Sequence, residues 1–365
     1  MDSDLMMLSM LFGDQIQQSS ENQVTYTADQ LTVVFTFPVD YPDQPFTYTS
    51  NIQFTPELTQ SLLSMCQSCL DFITFLSQNF VLTNTQKPAE FKRAIIDTHS
   101  HFLTEYYKDN HYQQQLDRFN AENGSKVIII ASTAENLQAA LDSAIQNNFY
   151  CTAGIHPKRL QELFEADPVS FYQKIDDEFA QLQKFLKDNV HQIKKRIVAI
   201  GELGISSDDE QVMRLQLKLV QKQFDLALKL DLPVIVHAHK KHQLQLINDL
   251  LMENQTHYKN IKLVIHGFSA EVKQLEELQT FNCYFSCNLI LLKQSGNFKK
   301  AVKRIGIDKV LVETDSPFVT GGTEVSGPAD VLKVLRKLSE ELEMGLDQLN
   351  ETVNNNAMKL FQIEV

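Results

Sequence analysis

Residues 1–86 contain no Lys, Arg or His, although they carry nine Asp or Glu. All ten His and all 33 Lys+Arg of the 365-residue chain come later, so the net charge of −13 divides into −9 for residues 1–86 and −4 for the remainder. Affinity for nucleic acid comes largely from basic groups that neutralise phosphate, which makes the first segment a poor surface for that contact and a better protein-binding module. Its Leu31-Thr-Val-Val-Phe-Thr-Phe37 run and many aromatics argue against the disorder that an acidic segment could otherwise signal. No apolar run approaches the roughly 18 residues of a membrane span. The start, Met1-Asp-Ser-Asp4, lacks the basic stretch of a secretory signal. Five scattered Cys, an odd number, do not make a disulfide framework, so the expected compartment is reducing, cytosol or nucleus. With 43% hydrophobic and 22% charged residues, what is there suits a globular chain long enough for two domains.

Residues 4–12 have apolar positions at helical spacing and Gly13 is a stop; strands are expected over 24–27, 31–37 and 46–54, with the rigid turn Asp40–Pro45 before the last. Thr55-Pro56 can open a helix over 57–80. This order, with Leu8–Asp14 in front and Tyr41-Pro-Asp-Gln-Pro45 between strands, resembles the RWD domain over residues 1–83, which implies a small α+β adaptor that binds an unidentified protein partner. Cys66 and Cys69 have no second pair nearby and are expected to face a helix core rather than hold zinc. Residues 84–93, polar and proline-containing, read as a linker.

From residue 94 onward, short and almost continuously apolar runs alternate with amphipathic stretches. Strands are expected over 94–98, 126–131, 149–154, 197–202, 232–237, 261–266, 282–287 and 309–314, with helices such as 134–147, 168–190, 208–230, 241–253 and 269–279 between them. Eight such repeats in about 270 residues fit an α/β fold of the (β/α)8 TIM-barrel type over 94–365. No Gly-rich loop follows the first strand, which counts against an open doubly wound sheet. In a barrel, functional groups gather at the C-terminal ends of the strands. Those ends carry His99-Ser-His101, Gly154-Ile-His156-Pro157, Gly201-Glu202, His237-Ala-His239, His266-Gly-Phe and Glu313-Thr-Asp315. A lone strand-end His is most often a satisfied core residue, but imidazoles and carboxylates at one end of so many strands suit two divalent ions sharing a carboxylate. Such a centre favours an anionic substrate such as a phosphate ester, with Mg, Mn or Zn all compatible.

Asp97-Thr-His-Ser-His101, Gly154-Ile-His-Pro157, Ala199-Ile-Gly-Glu-Leu-Gly204, Pro233-Val-Ile-Val-His237, His266-Gly-Phe-Ser269 and Glu313-Thr-Asp-Ser-Pro317 together resemble the motifs of the TatD family of metal-dependent deoxyribonucleases, in that family's order. The resemblance implies a metallohydrolase barrel acting on DNA, single-stranded or at 3′ ends. It implies metal ligation by His99, His101, Glu202, His237, His266 and Asp315, with Glu202 bridging the ions and Asp315 also taking a proton from the attacking water. It places His156 against substrate phosphate. Lys158 and His239 stand where the family usually has His and Arg, Gly204-Ile205-Ser206 replaces a Gly-Leu-Asp, and Ser326-Gly327-Pro328 replaces an Asn-Glu-Pro. The differences therefore concentrate on the substrate side. They leave two other readings open, a metal-binding scaffold with little turnover and a hydrolase of another ester or an amide. Lys240-Lys241, and Lys299-Lys300 with Lys303-Arg304, read as solvated helix faces; His111, His191, His242 and His257 as surface residues; Cys283 and Cys287 as core.

Overall fold

The structure, a computed structural model, describes residues 94–365, less 168–169, 270, 291–294, 321–324 and 365, together with four strands among the first 50 residues. The chain divides into two compact units, Met1–Glu90 and Phe91–Val365. In the first, β1 (Ile16–Ser20), β2 (Gln23–Ala28), β3 (Leu31–Thr36) and β4 (Thr47–Ser50) form an antiparallel meander in that order. Strands β2 to β4 fall on the three expected stretches. β1 reads Ile-Gln-Gln-Ser-Ser, has no apolar alternation to announce it, and is set by its pairing with β2. The helices expected over 4–12 and 57–80, and Cys66 and Cys69, lie outside the described residues.

The second unit is an eight-stranded parallel sheet in sequential order. Its strands are β5 (Ile95–Ser100), β6 (Gly124–Ile129), β7 (Tyr150–Ala153), β8 (Ile197–Gly204), β9 (Val234–His237), β10 (Lys262–Ile265), β11 (Asn282–Cys287) and β12 (Val310–Val312). The first and last strands meet: Asp315 N–H donates to His99 O at 2.9 Å and His101 N–H to Ser316 O at 2.8 Å, so the sheet curls into a nearly closed (β/α)8 barrel. The expected helices appear as α2 (Leu137–Gln146), α4 (Phe171–Asp188), α5 (Glu210–Leu230), α6 (Lys241–Glu253) and α7 (Val272–Leu278). The others are α1 (His111–Ala121), α3 (Pro157–Ala166), α8 (Ser295–Ile305), α9 (Val331–Leu342) and α10 (Leu346–Phe361), with a single helical turn at Gln255–Tyr258 between α6 and β10. Their ends follow local chemistry. Asp209 accepts Val212 N–H at 2.9 Å to start α5, and Asp231, left-handed at φ 53, ends it.

Alternation along the strands sorts the core into two clusters. Ile95, Val127, Ile129, Ile200, Val234, Val236, Leu263 and Ile265 belong to the larger one, shared with the helices, while Ile96, Ile128, Ile130, Val198, Ile235, Val264 and Leu311 fill the interior with Leu360 and Phe361 of α10. α10 closes the N-terminal end of the strands: Asn350 and Asn354 side-chain N–H groups donate to Ala94 O at 3.0 and 2.7 Å.

Strict alternation would turn three of the expected ligands the wrong way. Asp97 pairs with Val127 and Ser100 with Ile129, three residues against two, so one extra residue in β5 restarts the alternation. Ser100 then shares the outward side of Ile129, and His99 and His101 face inward. β8 repeats the device: Ile200 pairs with Val234 but Leu203 with Val236, which leaves Glu202 facing inward. His237 and His266 need no such correction, since they follow the outward-facing Val236 and Ile265. A side chain on Gly204 would collide with the His237 carbonyl, so only glycine allows β8 and β9 to approach this closely.

Candidate active site

All six expected ligands converge at the C-terminal end of the strands around one carboxylate. Glu202 Oε2 lies 3.3 Å from Nε2 of both His99 and His101, and Asp315 Oδ1 lies 3.6 and 3.5 Å from the same two nitrogens. Glu202 Oε1 faces the other way, 2.7 Å from His266 Nε2, 2.5 Å from His237 Nδ1 and 3.3 Å from His156 Nε2. One carboxylate thus presents each oxygen to a different group of imidazoles. Asp315 reaches its place through a left-handed backbone, φ 56, held by its N–H bond to His99 O.

Two divalent ions fit this donor set. His99 Nε2 and Glu202 Oε2 are both buried and have no hydrogen-bond partner, although they lie 3.3 Å apart. Buried polar atoms are rarely left unpaired without reason. Two ligands bound about 2.1 Å from a common ion at tetrahedral to octahedral angles stand about 3.0–3.4 Å apart, the spacing of these atoms. His99, His101 and Asp315 with Glu202 Oε2 would hold one ion; His237 and His266 with Glu202 Oε1 would hold the other.

The electrostatics match a cation centre. Burial opposes ionisation of Glu202, yet His266, His156, His237 and His99 hold its carboxyl well below the ordinary range. Burial likewise disfavours a charged His266, but Glu202 and Glu313 raise its pKa well above the ordinary value. Burial dominates at His237, driving it well down despite Glu202, and at Asp315, whose carboxyl is raised.

Glu313 was not singled out among the candidate residues of the sequence. Fully buried, it accepts Gly267 N–H at 2.7 Å and lies 3.4 Å from His266 Nδ1, which orients the imidazole so that Nε2 faces Glu202. Its place two residues before Asp315 in Glu-Thr-Asp was the available signal. Asp97 does the same for the strand end, accepting His99 N–H at 3.2 Å and Thr314 Oγ1–H at 2.6 Å.

A cavity of about 530 Å³ opens over this cluster, and His156, Lys158, His239 and Ser206 all line it. His156 is the N-cap of α3: its Nδ1 accepts the Lys158 N–H at 3.0 Å, which leaves the ring proton on Nε2 toward Glu202. Burial, then His266, pushes His239 down to about 4, so its imidazole is neutral at pH 7 and is no cationic replacement for arginine. Arg159 and Lys240 also line the cavity but are committed, Arg159 Nε to Glu178 Oε1 at 2.8 Å and Nη2 to Glu135 Oε1 at 2.8 Å, and Lys240 to Asp208. Lys240, expected on a solvated face, is thus also a wall residue. Ser326-Gly327-Pro328 does not line the cavity. Ser326 O accepts the Tyr107 hydroxyl at 3.1 Å and a side chain on Gly327 would strike Gln115, so this difference shapes a loop rather than the substrate wall.

One feature had no sequence signal. Phe318, 61% exposed, stands with its ring edge-on to His101 at 4.9 Å and to Tyr106 at 5.4 Å. It gives the mouth of the cavity an aromatic wall beside the His101 imidazole. The expected core cysteines, Cys283 and Cys287, are buried and free. Among the described residues no helix is long and apolar enough to cross a membrane.

The family described as TatD related DNase matches residues 96–362. A Bacillus subtilis protein named uncharacterized metal-dependent hydrolase YabD is 24% identical over 275 residues, which cover 74% of this chain and 99% of the relative. Human deoxyribonuclease TATDN3 is 23% identical over 276 residues, 73% of this chain and 94% of that one. The crystal structure of YJJV, a TatD homolog from Escherichia coli, superposes with a TM-score of 0.60 at 26% identity, covering 74% of this chain and 98% of that chain. With a sequential parallel barrel, a shared carboxylate and this match over its barrel, the chain belongs to the TatD-related DNase family of metal-dependent hydrolases.

Proposed function

We propose that the barrel is a deoxyribonuclease that removes nucleotides from single-stranded or 3′ DNA ends by two-metal hydrolysis of the phosphodiester. The observation that carries this reading is Glu202, whose two oxygens face His99 and His101 on one side and His237 and His266 on the other. Bound divalent ions would neutralise phosphate charge and lower the pKa of a water at neutral pH. Asp315, at the cavity wall, accepts the proton of the attacking water. His156 donates its Nε2–H to a phosphate oxygen, and the Lys158 ammonium adds a point charge at the wall. The terminal base stacks on Phe318 at the mouth, a contact open to any base that favours unpaired ends over duplex.

Residues 1–83 are read as an RWD-like adaptor and 84–93 as its linker. A segment of charge −9 without a basic residue repels DNA and suits a protein partner. Three buried free cysteines in the barrel suit a reducing cytosolic or nuclear setting.

The test is turnover of single-stranded DNA supplied with Mg, Mn or Zn, comparing the full chain with Asp315→Asn. The expected result is metal-dependent release of nucleotides by the wild type and a loss of about 100-fold or more in the variant. Equal turnover by both, or none by the wild type with any of the three metals, refutes the nuclease reading; two bound ions without turnover would instead support the scaffold.

A further inference from the structure

The two halves of the metal cluster are not equally furnished. His99, His101, Asp315 and Glu202 Oε2 offer two nitrogens and two oxygens, whereas Glu202 Oε1, His237 and His266 offer only three donors. Two further imidazoles border the second group, His156 and His239.

We propose that His239 is the fourth protein ligand of the second ion, which Glu202, His237, His266 and His239 together enclose. The inference rests on the two-ion reading above. A ring nitrogen of His239 lies within 4.8 Å of one on His237 and one on His266. The ring stands edge-on to both, with centroids 4.3 Å from His237 at 71° and 4.9 Å from His266 at 68°. The three rings thus bring one nitrogen each close enough together to serve a single cation.

The surroundings fix His239 in this place. Its carbonyl accepts the Ser269 hydroxyl at 2.9 Å, and its ring lies over Gly267, where a Cβ would come 3.0 Å from His239 Cε1. Gly267 adopts φ 51, so this residue supplies both the turn after β10 and the room for the ring.

Hydrogen bonding separates the two candidates for the fourth position. His156 Nδ1 accepts a backbone N–H, so its proton sits on Nε2, the atom turned toward Glu202. That makes His156 a donor to the carboxylate or to a substrate oxygen and leaves the ligand place to His239. Guanidinium and ammonium groups have no lone pair to offer, so neither Arg nor Lys at position 239 could take the role. The outcome is an asymmetric pair, an N3O site beside an N2O2 site. The imidazole-rich set favours a zinc-like ion, and four protein ligands enclose it as structural zinc sites are enclosed.

The test loads the full chain with zinc, equilibrates it against increasing chelator, and counts the zinc that remains by elemental analysis. The wild type, His239→Ala, His239→Arg and His156→Ala are compared, with near-UV circular dichroism confirming a native barrel in each. Both His239 variants are expected to lose one of two zinc ions at about tenfold lower chelator or less, the other ion being unaffected, while His156→Ala keeps the wild-type profile. A wild type that binds fewer than two zinc ions refutes the two-ion reading itself. Two ions in the wild type with unchanged release in both His239 variants overturns the assignment, as does early release in His156→Ala alone.

Discussion

Asp330 offers the sharpest test of how the loop after β12, which carries Asp315 and Phe318, is anchored. Its side chain is fully buried just before α9 and accepts four hydrogen bonds: from Arg118 Nη2 at 2.7 Å, Lys333 Nζ at 2.8 Å, Gly327 N at 3.0 Å and Ser326 Oγ at 3.3 Å. Burial works against its charge, but Arg118, Lys333 and the Gly327 N–H hold its carboxyl below the ordinary value. The two cations are 37% and 42% exposed, so each pairing is discounted for solvent, and Asp330→Asn is expected to cost roughly 2–3 kcal/mol. Asp330→Ala also orphans the buried Gly327 N–H and should cost about 3–5 kcal/mol. For a unit of this size the asparagine variant should melt about 4–10 °C lower. The sign with pH follows from the depressed pKa. The stabilisation is fully present above the unfolded carboxyl value near 3.8 and is lost as pH falls through the lower folded value, so the gap between wild type and Asp330→Asn should close on acidification. The assay is thermal unfolding followed by near-UV circular dichroism, repeated from pH 7 downward. A shift under about 1 °C at pH 7, or a gap that widens as pH falls, would refute the anchoring role.

Phe318→Ala should raise the KM for single-stranded oligonucleotides about 5- to 100-fold, corresponding to the loss of one base-stacking platform, with bound metal unchanged by elemental analysis; an unaltered KM would remove Phe318 from the substrate path. Glu313→Gln keeps the shape of the side chain but removes the charge behind His266, and it should weaken retention of one ion about 10- to 100-fold in a chelator titration. Retention equal to wild type would leave Glu313 a purely structural acceptor of the Gly267 N–H.

The barrel was legible because buried parallel strands must be apolar almost throughout, and the eight runs from 94–98 to 309–314 show it. The candidate cluster was legible because metal chemistry restricts residue types so severely that His99, His101, Glu202, His237, His266 and Asp315 stand out at the strand ends, and the structure brings these six together. The wall was less legible. Lys158 and His239 were located, but the commitment of Arg159 and Lys240 to Glu178 and Asp208, and the exposure of Phe318, depend on neighbours that are distant along the chain. β1 escaped notice because Ile-Gln-Gln-Ser-Ser pairs through its backbone, which any sequence supplies.

By itself the sequence determined which atoms can bind metal and the order in which strands and helices succeed one another, since both follow from residue type and local spacing. Only the tertiary structure decided which way those atoms point. The His-x-His spacing guarantees that His99 and His101 share a side of β5, but that side is inward because one extra residue against β6 restarts the alternation, and Glu202 is turned inward by the same irregularity against β9. Register is a property of two paired strands, so neither strand alone could reveal it.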